Sequence, residues 1–172
     1  MTSDTSSEQV IAKPGVLRRL LTLIIFMAIP LGVGLIASAL TSDAMEAFKD
    51  MEKPPLAPPA MLFPIAWTIL YILMGLASYI IYISDTKHNV TRFAAIFLYA
   101  AQLFFNFVWS LIFFGASEYM GAFIWLLCLW ILVLLMLLSY HKISKTAFYL
   151  TLPYILWLTF AGYLNIGIAL MN

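Results

Sequence analysis

Five predominantly apolar runs, at about 20–40, 61–83, 93–114, 120–140 and 147–171, restrict this chain to one environment. A hydrocarbon core about 30 Å thick needs about 20 helical residues to cross it, and each run reaches that length. Lipid offers no partner to a backbone N–H or C=O, so a run of this kind crosses as a helix that satisfies its own backbone. The expected fold class is an all-α membrane protein, a five-transmembrane-helix bundle formed by residues 17–172. Composition agrees: 64% of residues are hydrophobic and 10% charged, where soluble domains have roughly half and about a quarter. The bilayer is thus the first partner. A net charge of +1, with no basic patch interleaved with aromatics, argues against nucleic acid.

Lys and Arg set the expected orientation. Lys13, Arg18, Arg19, Lys87, Arg92, Lys142 and Lys145 fall on the side of the N-terminus, and only Lys49 and Lys53 on the other. The N-terminus and the loops around 84–92 and 141–146 are therefore expected in the cytoplasm. The 42–60 loop, the 115–119 turn and the C-terminus are expected outside. Residues 1–16 are polar and read as a disordered tail. The apolar run that follows is about twice the length of a signal-peptide core and lacks a small-x-small cleavage site, so it is expected to remain. Localisation is multi-pass, in a bacterial cell membrane or an organelle membrane. Cys128 lies mid-span with no second cysteine to pair with.

No Asp, Glu, Lys, Arg or His sits in the middle of a span. Ionisable groups inside a bilayer mark ion paths and proton relays, so ion-driven pumping is disfavoured. The same pattern removes a buried imidazole base, paired carboxylates and a metal-ligand cluster, and no metal site is expected. His88 and His141 lie beside lysines and read as solvated loop residues.

The spans carry aromatic rings and neutral amides instead. Gln102, Asn106, Trp109 and Phe113 recur at offsets of 4, 7 and 11, so they share one face of the third span. Tyr154, Trp157, Ala161, Asn165 and Ile168 repeat the device in the fifth span, and Trp67, Tyr71, Met74 and Ser78 in the second. An amide facing lipid costs kilocalories, so Gln102, Asn106 and Asn165 should turn inward, to each other, to carbonyls or to a ligand. For Gln102 and Asn165, interhelical bonding stands ahead of ligand contact. Trp125, Tyr99, Tyr119 and Tyr149 suit the interfacial belt, whereas Trp130 and Trp157 lie too deep for it. Because alternate spans run in opposite directions, Trp67, Asn106, Trp109 and Asn165 fall at one level, in the outer half of the bilayer. A cavity of rings and a few amides is expected there, suited to a flat hydrophobic ligand.

Above that level lies KPPLAPPAMLFP, residues 53–64. Pro54, Pro55, Pro58 and Pro59 fix φ near −65° and give the loop a stiff, extended path without a core of its own. It is expected to act as a lid, or as a rigid connector that sets the spacing of two helices. Pro64 falls in the first turn of the second span, where a missing N–H costs little.

Three stretches, KPPLAPPAMLFPIAWTILYILMGLASY at 53–79, AQLFFNFVWSLIFFG at 101–115 and LPYILWLTFAGYLNIGIALMN at 152–172, resemble the translocator protein family, also called the tryptophan-rich sensory or peripheral benzodiazepine receptor family. The resemblance covers all five spans. It implies a five-helix bundle, commonly a homodimer, that binds porphyrins and haem and, in some members, cholesterol and benzodiazepine-site ligands. By motif position it implies pocket roles for Trp67, Asn106 and Trp157, with Ala161 and Leu164 beside them. Ala47 and Phe48 stand where the family often has a Trp-Tyr pair, and Leu56 where an aromatic often lies between the prolines. Ile166 replaces the tyrosine of the usual sterol motif, and the loose sterol pattern at 138–142 occurs often by chance.

The expected function is that of a sensory or regulatory tetrapyrrole-binding protein, with porphyrin or haem as ligand and no required cofactor. Tyr71, Gln102, Trp109, Tyr154 and Asn165 complete the candidate ligand site. An alternative is light-dependent porphyrin breakdown, the one setting in which Trp67 and Trp157 would be catalytic. Another is passive transport of porphyrins or other flat hydrophobic molecules such as sterols.

Overall fold

A heptad-like seam joins the last two helices and organises the bundle. The computed structural model describes residues 15–42, 51–84 and 89–172. Its helices are α1 (Val16–Leu40), α2 (Leu62–Ile83), α3 (Asn89–Ser110), α4 (Tyr119–Ile143) and α5 (Lys145–Met171), and α3 continues into a π-helical turn at Leu111–Gly115. All five are long and apolar enough to cross a membrane. Along α4 the buried residues Ala122, Leu126, Leu129, Val133, Met136 and Tyr140 alternate steps of four and three. Along α5, Ala147, Thr151, Tyr154, Leu158, Ala161, Asn165 and Ile168 do the same. Two such stripes pack as a coiled-coil seam, and the contact between α4 and α5 is the most extensive in the bundle. Leu158 takes the place in the α5 stripe that the sequence reading gave to Trp157, which is only half-buried.

The extensive contacts of α3 with α4, α1 with α2 and α2 with α5 complete the arrangement, while α3 touches α1 and α2 more sparsely. Small residues permit the close approaches: Ala77, Ser78, Ala95, Ala122 and Ala147 are fully buried. Pro30 lies inside α1. A proline has no N–H for the carbonyl four residues earlier, and the freed carbonyl of Phe26 accepts the Tyr99 hydroxyl of α3 at 3.0 Å. Tyr99 is therefore a buried interhelical residue, not the interfacial tyrosine expected. At the same level Gly75 of α2 lies flush on α1, where an added Cβ would stand 2.6 Å from the Phe26 carbonyl oxygen and 2.9 Å from Met27 Cα.

The connections are short. Ser144 alone separates α4 from α5 and caps α5, its hydroxyl accepting from Ala147 N–H at 3.4 Å. Between α3 and α4 the chain leaves the π turn through Ser117, at φ 55. The described part of the long loop, 51–60, is strapped across the C-terminal half of α5. Tyr163 donates to the Pro55 carbonyl at 2.6 Å, Asn172 exchanges two hydrogen bonds with the Glu52 backbone at 3.2 and 3.0 Å, and Pro54 lies on Gly167. Residues 54–57 form a turn closed by Ala57 N–H on the Pro54 carbonyl at 3.2 Å, and Leu56 occupies its left-handed position at φ 68. That position ordinarily takes Gly or Asn. Residues 1–14 of the polar tail, Ala47, Phe48 and Lys49 of the loop, and Lys87 and His88 lie outside the described residues.

Gly75→Ala should push α1 off α2, because the obstructing atoms are backbone. A loss of about 1–3 kcal/mol is expected in detergent unfolding, and unchanged stability would show that the two helices do not meet as described.

Candidate functional site

A cavity of about 350 Å³ lies beside the half of α1 that follows Pro30. Its lining comes from α1 (Leu31, Gly34, Leu35, Ala37, Ser38, Thr41), α2 (Phe63, Pro64, Trp67, Thr68, Tyr71), the end of α3 and its π turn (Trp109, Ser110, Phe113, Phe114) and α5 (Ala161, Leu164, Asn165, Ile168). The volume lies at the lower end of small-molecule pockets. Trp67 and Trp109 lie side by side, ring centroids 6.1 Å apart and tilted by 37°. Trp67 also leans over Tyr71 at 5.6 Å, and Phe113 stacks on Trp109 at 5.3 Å. The wall is thus a continuous run of rings.

The floor is a hydrogen-bonded chain of neutral polar groups. Tyr71 donates to Asn106 Oδ1 at 2.8 Å. Asn106 Nδ2 donates to the Tyr154 hydroxyl at 3.2 Å, and that hydroxyl donates to Gln102 Oε1 at 2.8 Å. Gln102 Nε2 ends the chain on the Met74 sulfur at 3.5 Å. Four buried residues from α2, α3 and α5 are tied together in this way. A second tie lies in the wall, where Trp109 Nε1 donates to Asn165 Oδ1 at 3.1 Å and Asn165 Nδ2 donates to the Tyr119 carbonyl at 2.7 Å.

The ten expected ligand residues therefore separate into two groups. Trp67, Tyr71, Trp109, Ala161, Leu164 and Asn165 line the cavity, whereas Gln102, Asn106, Tyr154 and Trp157 do not. Asn106 has both polar atoms engaged by tyrosines. Trp157 meets Trp67 edge-on at 6.5 Å and Phe63 at 6.1 Å, and its Nε1 is the one buried side-chain polar atom without a partner among the described residues. None of Pro54, Pro55, Pro58 and Pro59 lines the cavity. Trp125, expected at the interface, stacks on Phe105 at 4.5 Å and donates to its carbonyl at 2.9 Å. Deep Trp130 donates to Thr159 at 2.9 Å.

Sequence reasoning missed the contribution of α1. Its signal was the small-residue pattern Gly32, Gly34, Ala37 and Ser38, which lets Tyr71 swing against Gly34, where any Cβ would overlap the ring. It also missed Phe114, which the π turn aims inward together with Phe113. A second hollow of about 460 Å³ lies between α1 and α3, lined by Phe26, Ile29, Val33, Ile96, Tyr99, Ala100, Leu103, Phe104 and Phe107. Its one hydroxyl, on Tyr99, is already committed to Phe26, so no free polar group there would orient a ligand.

Residues 26–171 match the TspO/MBR family. The chain belongs to that family. It is 35% identical over 156 residues to the tryptophan-rich protein TspO of Chlorobaculum tepidum, covering 90% of this chain and 98% of that protein. The tryptophan-rich sensory protein of Cereibacter sphaeroides is 32% identical, over 74% of this chain and 77% of its own length. The translocator protein of Bos taurus is 33% identical, over 69% and 70%. Membership of the TspO/MBR family fits the five-helix bundle, and with the spans it makes the chain an integral multi-pass membrane protein.

The Tyr154 hydroxyl makes two bonds and the Tyr71 hydroxyl one. Tyr154→Phe should cost about 1–3 kcal/mol, by stranding an amide on each side, and Tyr71→Phe about 0.5–1.5 kcal/mol. Titration of the folded protein with a denaturing detergent ranks the two, and the opposite order would mean that Tyr154 is not the centre of the network.

Proposed function

We propose that this protein is a membrane-embedded sensory or regulatory binding protein for a flat hydrophobic ligand of the tetrapyrrole class. The observation that carries the reading is the paired indole wall of Trp67 and Trp109 over an otherwise apolar cavity. Aromatic faces gain most from another extended π surface, about 0.5–1.5 kcal/mol per stacked pair beyond simple burial. Among the described residues the lining carries no imidazole, thiol or carboxylate, so the macrocycle would be held by its faces and not by an axial ligand. Asn106, expected to bond a ligand edge, is instead committed to Tyr71 and Tyr154 and keeps the floor rigid. Trp157 supports Trp67 from behind. That a relative in Cereibacter sphaeroides is named a sensory protein agrees with a binding role.

Titrating intrinsic tryptophan fluorescence in detergent or nanodiscs tests this. Metal-free protoporphyrin and haem should quench with similar affinity. Trp67→Leu should weaken both about tenfold, and Trp157→Phe less. Haem binding tighter by about a hundredfold or more, with an imidazole-ligated spectrum, would contradict the site as described.

A further inference from the structure

We infer that the ligand reaches the cavity sideways, from the membrane leaflet at the loop end, through a gap between α1 and α2. The inference rests on the binding role proposed above and adds the route.

Four lining residues, Leu35 and Ser38 on α1 and Pro64 and Thr68 on α2, are also exposed on the outside of the bundle. Leu35 is 72% exposed. The two helices are antiparallel neighbours that meet at Gly75 against the backbone of Phe26 and Met27. Counting outward from that contact brings Ser38 to the level of Phe63 and Pro64, and Leu35 to the level of Ala66 and Trp67, next to Thr68. Tyr71 against Gly34 marks the last tight point. The exposed lining residues thus border one slot along the α1–α2 seam, beside buried Ala37 and Thr41.

The slot has the chemistry of lipid. Leu35 and Pro64 are apolar, and the Thr68 hydroxyl is turned back onto the Pro64 carbonyl at 2.8 Å, so Thr68 is free to present its methyl group. A flat hydrophobic molecule dissolved in the leaflet would cross such a rim without passing through water. Access past the described part of the loop is more costly. Residues 51–55 are fastened by Tyr163 on Pro55, by the Asn172 amide on the Glu52 backbone, by Pro54 on Gly167 and by Met51 sulfur on the Tyr119 hydroxyl at 3.5 Å.

The test is stopped-flow quenching in proteoliposomes mixed with vesicles that carry protoporphyrin. Ser38→Phe with Thr68→Phe, which fills the slot with rings, should slow both uptake and release about tenfold, so that their ratio moves less than either rate. Tyr163→Phe with Asn172→Ala, which unfastens the loop, should leave uptake within about twofold of the parent. Faster uptake in the unfastened variant with no change in the filled one would overturn the sideways route. If protoporphyrin gives no saturable quenching at all, the tetrapyrrole reading fails, and the slot is then read with a nitroxide-labelled alkane dissolved in the bilayer. That probe should quench the indoles of the parent more than those of the filled variant, and equal quenching would overturn the slot itself.

Discussion

A polar group inside a bilayer has only the protein to bond to, and this constraint explains more of the structure than any single apolar contact. Pro30 frees the Phe26 carbonyl and Tyr99 takes it up. Ser78 and Tyr140 share a 2.7 Å bond between α2 and α4. Tyr71, Asn106, Tyr154 and Gln102 bond in a chain across three helices, so that each polar group has a partner. Individual bonds of this kind contribute modestly in membranes, about 0.6 kcal/mol on average in one well-studied case. Their larger effect is on register: a slip of one residue along α3 would strand both of its amides.

Function follows from the same constraint. With the Gln102 and Asn106 amides held by tyrosine hydroxyls outside the cavity, its lining is mainly rings and aliphatic groups with a few hydroxyls and the Asn165 amide. Glycine supplies the remaining freedom at two points: Gly75 brings α1 onto α2, and Gly34 lets the Tyr71 ring lie against α1. The half of α1 after Pro30 buries Ala37 and gives the cavity its α1 lining. One helix thereby meets α2 at Gly75 and borders the cavity beyond it.

Much of this was legible in the sequence. Span length and the scarcity of charge identified five membrane helices, and the offsets of 4, 7 and 11 found the buried face of α3, where Gln102, Asn106, Trp109 and Phe113 are all buried. Periodicity assigns a face but not a depth. It therefore placed Asn106 in the cavity, although the Tyr71 and Tyr154 hydroxyls reach it first. Trp157 sits one helical step from the Leu158 stripe, close enough to be confused with it. The part played by α1 was hidden because glycine and alanine lining a chamber look the same as glycine and alanine packing helices. The π turn after Ser110 left no recognisable mark, since its extra residue changes the aim of Phe113 and Phe114 without changing composition.

The most direct test is an experimental structure with metal-free protoporphyrin bound. The account predicts the macrocycle against the Trp67 and Trp109 rings, with the Tyr71–Asn106–Tyr154–Gln102 chain intact beneath it. A macrocycle seated instead in the α1–α3 hollow, or an Asn106 amide drawn out of its tyrosine partners to bind the ligand edge, would contradict it.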